Sequence, residues 1–252
     1  MDLTKWLIKI LGVRATALTG DPSIFDRWRF LQRHLQPGAW RTLDAGCGSG
    51  AFILYAGKIG NSGVGLSFDE DGNKKGTMRA ELLQINNINF ITADLGELDK
   101  YFEKLGVFDQ IICFETIEHI LNDSKLIKDL SALLKPGGRI LLTTPYKYYR
   151  PLVGDKISPI EDGGHVRWGY THQEIRELFE KYGLKVTAEE FISGFISQKI
   201  TNIIRLLNTH LKNLITWVLV FPFRFLVVFD DPLTKLIKYP YLSIGVVGTK
   251  IN

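Results

Sequence analysis

The sequence predicts an α/β fold: a seven-stranded, mostly parallel sheet with helices on both faces, plus a helical insertion before the last strand. Three observations predict it. From position 41 onward, short apolar runs alternate with helical stretches of ten or more residues, the pattern of a parallel sheet covered on both sides. The first run ends in Asp44-Ala45-Gly46-Cys47-Gly48-Ser49-Gly50, with glycine at every second position. Glycine tolerates positive φ, so this reads as a tight strand-to-helix turn that lets backbone approach a ligand. Finally, a basic and strongly apolar stretch over 193–239 interrupts the alternation before a closing strand over 242–249.

Composition sets the frame. The chain has 252 residues, 45% of them hydrophobic and 23% charged, ordinary globular composition and long enough for one large domain or two small ones, and it is read as one. That domain divides into N-terminal helices (1–40), a core (41–192 and 240–252) and the insertion. A formal net charge of +4 is too mild to signal nucleic acid, and no nucleic-acid partner is expected. Cys47 and Cys113 fall in predicted strand ends, so neither a disulfide framework nor a zinc site is read. Reduced cytoplasm is the default location. The first thirteen residues carry Asp2, Lys5 and Lys9 and lack a small-residue cleavage site, so no signal peptide is read.

The elements follow in order. Leu3, Leu7, Ile10 and Leu11 share one helical face, either packed on the domain edge or serving as a surface anchor. Asp21-Pro22 has the form of an N-cap followed by Pro at the first helical position, and that helix carries Phe25, Trp28, Phe30, Leu31 and Leu35. Strands are predicted over 41–47, 63–68, 88–94, 108–114, 139–144 and 184–191. Helices are predicted over 51–59, 72–85, 117–134 and 171–182. Thr171 with Glu174 three residues on has the spacing of a capping box.

The glycine turn narrows the ligand. A P-loop needs Gly-Lys-Ser/Thr, and here Ser49-Gly50-Ala51-Phe52 follows Gly48. A dinucleotide site needs G-x-G-x-x-G, whereas this turn reads D-x-G-x-G-x-G. Four further segments accompany it: Ile91-Thr92-Ala93-Asp94-Leu95, Phe108-Asp109-Gln110-Ile111-Ile112-Cys113, Glu115-Thr116-Ile117-Glu118-His119-Ile120, and Leu134-Lys135-Pro136-Gly137-Gly138-Arg139. Together they resemble the Rossmann-like class I S-adenosylmethionine-dependent methyltransferases, over roughly 43–187 plus the last strand. The resemblance implies that Asp44, Gly46, Cys47, Gly48 and Gly50 hold the methionine part of the cofactor. It implies that Asp94 and Leu95 meet the adenine, and that Glu115 lines the cleft. The family's acid at the end of strand two is replaced by Ser67. Either Ser67 or the nearby Asp69 is left to meet the ribose.

The segment Glu115-x-x-Glu118-His119 is similar to the ExxEH segment of the ubiquinone-pathway O-methyltransferases, which implies a divalent cation such as Mg²⁺ on Glu115, Glu118 and His119. The alternative is that Glu118 and His119 simply open a helix, where an acid suits the dipole. The loop over 146–170 is long enough to be functional and holds His165, the first choice for a general base because imidazole moves protons near neutral pH. A loop histidine bonded to backbone is the bland reading. His119 is the second acid–base candidate. Arg167 has two readings, an anionic substrate group or an ion pair with Glu161 or Asp162.

Within 193–239, Lys199, Arg205, Lys212, Arg224, Lys235 and Lys238 outnumber Asp230 and Asp231, and Trp217 sits near four Phe residues. Pro222 and Arg224 interrupt the apolar run, so a transmembrane helix is rejected. A helical cap or packing surface and a peripheral contact with the inner membrane face both remain open. The expected activity is methyl transfer to a small-molecule or lipid-linked acceptor, most simply a hydroxyl. The rivals are an N- or C-methyltransferase and a non-catalytic module that keeps the fold.

Overall fold

The computed structural model describes residues 3–15, 22–149, 157–211 and 213–251. Seven strands form one sheet: β1 (Arg41–Ala45), β2 (Ser62–Ser67), β3 (Ile88–Thr92), β4 (Phe108–Phe114), β5 (Leu134–Pro145), β6 (Leu184–Ile192) and β7 (Ser243–Lys250). Their order is β3-β2-β1-β4-β5-β7-β6. All neighbours are parallel except β7, which runs antiparallel to both β5 and β6.

Helices cover both faces. The described α-helices of seven or more residues are, in chain order, α1 (Leu3–Leu11), α2 (Pro22–His34), α3 (Ala51–Lys58), α4 (Glu70–Leu83), α5 (Asp123–Leu133), α6 (His172–Glu180), α7 (Phe195–Asn208), α8 (Asn213–Val220) and α9 (Asp230–Leu236). Side chains alternate across a strand, and β4 shows the result. Ile111 and Cys113 join the core beneath α5 and α6, with Leu126, Leu130, Ile175 and Phe179. Ile112 and Phe114 join the opposite core beneath α2 and α3, with Trp28, Phe30, Ile53 and Leu54. This double burial is why β4 reads as a continuous apolar run.

The strand order reverses between β1 and β4, where Leu43 pairs with Ile111 and Asp44 with Ile112. A crevice opens beyond the C-terminal ends of strands at such a switch point, and the glycine turn and Glu115 both lie there. The helix predicted from 117 begins only at Asp123. Residues Ile117–His119 form a single 3₁₀ turn, and the Asn122 side chain caps α5 by accepting from Lys125 N–H. The capping box at Thr171 and Glu174 forms as predicted. Asp21 and the Trp217 side chain lie outside the described residues.

The insertion between β6 and β7 is helical, and its base is tied by one buried acid. Asp230 accepts the N–H groups of Gly194 at 2.9 Å, Ile196 at 2.6 Å and Ser197 at 3.3 Å. Thr234 Oγ1 accepts from Phe195 N–H at 2.7 Å. These bonds satisfy the donors that the first turn of α7 leaves open. No described helix is long and apolar enough to cross a membrane.

Candidate active site

The glycine turn is built as its sequence requires. Gly46, Gly48 and Gly50 have φ of +90°, +50° and +82°, values that disfavour any residue with a Cβ. A Cβ on Gly46 would lie 2.2 Å from Thr116 Oγ1, and one on Gly50 would lie 2.7 Å from the Phe90 ring. Gly48 faces open space. Behind the turn, Asp44 is buried and accepts from the backbone of Ile53. Burial pushes its carboxyl up to about 7, and its Oδ2 has no hydrogen-bond partner.

A cavity of about 560 Å³ opens in front of the turn. Gly46, Gly48, Ser67, Asp69, Asp94, Leu95, Glu115 and His119 line it, with Phe68, Ala93, Thr116, Ile120 and the 161–163 segment. Ser67 Oγ accepts from Asp69 N–H, and Asp69 in turn caps α4 by accepting from Asp71 N–H. Both ribose candidates therefore stand on one wall. Three of the expected contacts stay behind the lining: Asp44 is buried behind the turn, Gly50 packs against Phe90, and the Cys47 thiol, pushed up by burial, turns toward Asn73 Oδ1 at 3.7 Å.

A smaller cavity of about 210 Å³ adjoins the first. Arg27, Glu115, Glu118, His119, Pro145, Tyr149, His165, Trp168, Arg205 and Leu242 line it. Glu115 and His119 belong to both cavities. Glu115 has the left-handed φ of +47° and is held by its N–H on Thr143 O at 2.8 Å. This strained conformation, at the end of β4, turns the carboxylate toward the junction, where Oε1 is buried without a partner. Arg27 donates to Ser23 Oγ on its own helix, while its Nε is buried and unpartnered.

The two candidate acid–base histidines meet edge to face, with ring centroids 4.7 Å apart. His119 Nδ1 lies 3.0 Å from Gly164 O. A carbonyl only accepts, so Nδ1 carries the hydrogen, and Nε2 of the neutral ring keeps its lone pair. The loop is pinned above this pair. Val166 N–H donates to Glu118 O at 2.9 Å, and Arg167 donates to Ile120 O and Leu121 O and pairs with Asp123. Arg167 is therefore a clamp on the 3₁₀ segment, and its partner is Asp123 rather than Glu161 or Asp162.

The metal expectation fares differently. Glu118, His119 and His165 place one ligand atom each within 4.8 Å of one another. Glu115 is not in this group, and its Oε2 accepts from Ser243 Oγ. Glu118 is fully buried, and burial together with the nearby Glu115 raises its carboxyl well above the usual range. Two imidazoles and one carboxyl that resists ionisation do not suit Mg²⁺, which takes oxygen ligands. The residues of the larger cavity do fit S-adenosylmethionine. Glu115 Oε1 on the cavity wall and Asp44 Oδ2 behind the turn are buried without donors, and Gly48 faces open space.

Several lining residues escape the sequence patterns. Phe68 follows Ser67 without a motif of its own. Arg27 and Arg205 arrive from α2 and α7, far away in sequence.

A methyltransferase-domain family model matches residues 23–189. The chain is 30% identical over 167 residues to a ubiquinone biosynthesis O-methyltransferase of Coxiella burnetii, covering 64% of this chain and 70% of that one. Its matches to further curated proteins of that name span about half of their length. A solved S-adenosylmethionine-dependent methyltransferase from Mesorhizobium loti superposes with a TM-score of 0.58 at 17% identity, covering 89% of this chain and 98% of that one. The [4+2]-cyclase SpnF superposes with a TM-score of 0.62 at 17% identity, covering 90% and 81%. At such identities these structures speak for the fold alone. From the extent of the family match and the cradle that the glycine turn builds, the chain belongs to the methyltransferase-domain family, as an S-adenosylmethionine-dependent enzyme.

Proposed function

We propose that the chain transfers a methyl group to a hydroxyl of a small-molecule or lipid-linked acceptor seated in the smaller cavity. The observation that carries this reading is the shared wall: Glu115 and His119 face both cavities. When bound, S-adenosylmethionine supplies an already activated methyl on a sulfonium. What remains for the protein is alignment, a proton acceptor and exclusion of water. Asp44 and the glycine turn take the methionine end, Ser67 and Asp69 the ribose, and Asp94 with Leu95 the adenine. Arg27 lines the smaller cavity together with the shared residue Glu115, and we assign its unpartnered Nε to the carboxylate of the methionine part, reached where the two cavities meet. His119 Nε2 receives the proton of the acceptor hydroxyl, and His165 stands beside it as a second acid–base group. The loop bonds of Val166 and Arg167 keep the junction covered. No metal step is included, because the donor set does not suit Mg²⁺. The insertion contributes Arg205 to the smaller cavity, and Leu242 lines it as well.

A positioned base favours oxygen over nitrogen. A hydroxyl must lose its proton as the new bond forms, whereas an aromatic amine attacks through a lone pair it already has. The printed name of the Coxiella relative, an O-methyltransferase, supports the same choice. A panel of matched phenols and anilines, with product analysis by mass spectrometry, checks this. Methyl on oxygen is expected. Transfer to anilines with none to phenols would overturn the hydroxyl assignment. Calorimetry with S-adenosylhomocysteine checks Arg27 separately. Arg27→Gln is expected to bind at least tenfold more weakly, since a charged hydrogen bond is worth about 1.5–3 kcal/mol; unchanged affinity would remove Arg27 from the cofactor site.

A further inference from the structure

The insertion turns most of its uncharged polar residues inward and most of its apolar ones outward; of its apolar side chains only Ile200 and Val220 are buried among the described residues. Along α7, Ser197, Gln198, Thr201 and Asn202 are buried against the domain, and Thr216 of α8 is buried as well. On the outer surface stand Ile203, Leu206, Val218, Leu219, Phe225 and Phe229. Phe225 is 69% exposed, Phe229 64% and the neighbouring Val228 78%. A helical cap on a water-soluble domain has the opposite arrangement, because apolar burial is what holds it in place. Fully burying one such side chain is worth about 1.5–3 kcal/mol, so this face is far larger than the single exposed apolar residues that need no explanation.

The charge around this face selects what covers it. Of its acids, Asp230 is buried in the cap of α7, and Asp231 is paired with Lys235 and Tyr241. Lys238 stands exposed beside Ile237 at the C-terminal end of α9, and Arg205 has no ion-pair or hydrogen-bond partner among the described residues. An apolar face rich in Phe with uncompensated cations at its margin complements an anionic bilayer, into which such a surface sinks to the headgroup boundary. The same helix also reaches the chemistry. Arg205, two residues after the outward Ile203 and immediately before the outward Leu206, lines the smaller cavity with His119.

We propose that the outward face of 195–237 docks on an anionic lipid surface, and that the acceptor is an amphiphile drawn from that surface. Its polar head enters past Arg205 to His119, and its apolar part stays on the outer face. This rests on the smaller cavity being the acceptor site, and it adds where the acceptor comes from. Head and tail are then read by opposite faces of one helix.

Co-sedimentation with phosphatidylglycerol-containing vesicles tests the docking, with phosphatidylcholine vesicles as the neutral arm. The wild-type chain is expected to pellet with the anionic vesicles at least tenfold more than with the neutral ones, and to lose that excess in high salt. Phe225→Glu/Phe229→Glu, changed only at exposed positions, is expected to stay in the supernatant. It should still methylate a soluble phenol at the wild-type rate. Equal partition of wild type and variant, or a stable dimer in sedimentation equilibrium that the variant breaks, would overturn the proposal. The soluble-phenol assay reports on methyl transfer independently, so failure of docking and failure of the enzymatic reading are told apart.

Discussion

Gly46→Ala and Gly48→Ala both abolish tight binding of S-adenosylhomocysteine, but only the first is expected to damage the fold. At Gly46 the added Cβ meets Thr116 Oγ1 at 2.2 Å and Cγ2 at 2.8 Å. Thr116 cannot swing aside cheaply, because its hydroxyl, with one hydrogen to donate, sits between two acceptors, Phe114 O at 3.0 Å and Ala45 O at 3.3 Å. Overpacking costs about 1–3 kcal/mol, and a side chain held at φ +90° adds about 1–2 kcal/mol. At roughly 2–4 °C per kcal/mol for a chain of this size, Gly46→Ala should lower Tm by about 5–15 °C. At Gly48 a Cβ meets nothing within 4 Å, and only the positive φ is penalised. That substitution should cost about 1–2 kcal/mol, yet Gly48 lines the 560 Å³ cavity, so the methyl is expected to take space from the cofactor. Calorimetry and thermal melts on the two variants separate the effects. A Gly48→Ala protein that binds S-adenosylhomocysteine like wild type would place the cofactor elsewhere.

The contrast between these two glycines also marks what the sequence made legible. The D-x-G-x-G-x-G spacing located the turn and its ligand class, and the alternation from 41 to 192 set out the sheet. Which glycine guards packing and which guards the cavity depends on Thr116, seventy residues away, and no local pattern contains that contact. The start of α5 at Asp123 rather than 117 has a related reason. Residues 115–122 have helical composition, but Glu115 adopts φ +47° and Val166 takes Glu118 O. Tertiary contacts thus hold that segment as a 3₁₀ turn until Asn122 caps the helix. The insertion shows a third limit. Helical spacing in α7 reveals two faces and is silent on which one turns inward. Only the burial of Ser197 and Thr201 against the exposure of Ile203 and Leu206 decides it. The histidine pair lies between these cases. His119 and His165 were both legible as candidates, while their 4.7 Å approach required the loop to fold back over the 3₁₀ turn.

That approach makes His119→Asn the sharpest test of the chemistry. Asparagine can still place an N–H on Gly164 O, as Nδ1 does now, but it has nothing where Nε2 stands. The loop geometry is thereby kept, and only the proton acceptor is removed. General-base assistance is worth about 10²–10⁴-fold, so kcat on an ordinary phenol should fall by that factor, while the affinity for S-adenosylhomocysteine changes far less. A general fall in activity could also come from a loosened junction, and the acidity of the acceptor separates the two causes. A dinitro-substituted phenol is already ionised near neutral pH and needs no base, so its rate should drop little in the variant. A positioning defect would slow both acceptors equally. Raising the pH should likewise rescue the ordinary phenol in the variant, as more of it ionises in solution. If His119→Asn lowers both rates in parallel at every pH, Nε2 is not the proton acceptor, and the assignment passes to His165, whose ring stands against it in the same cavity.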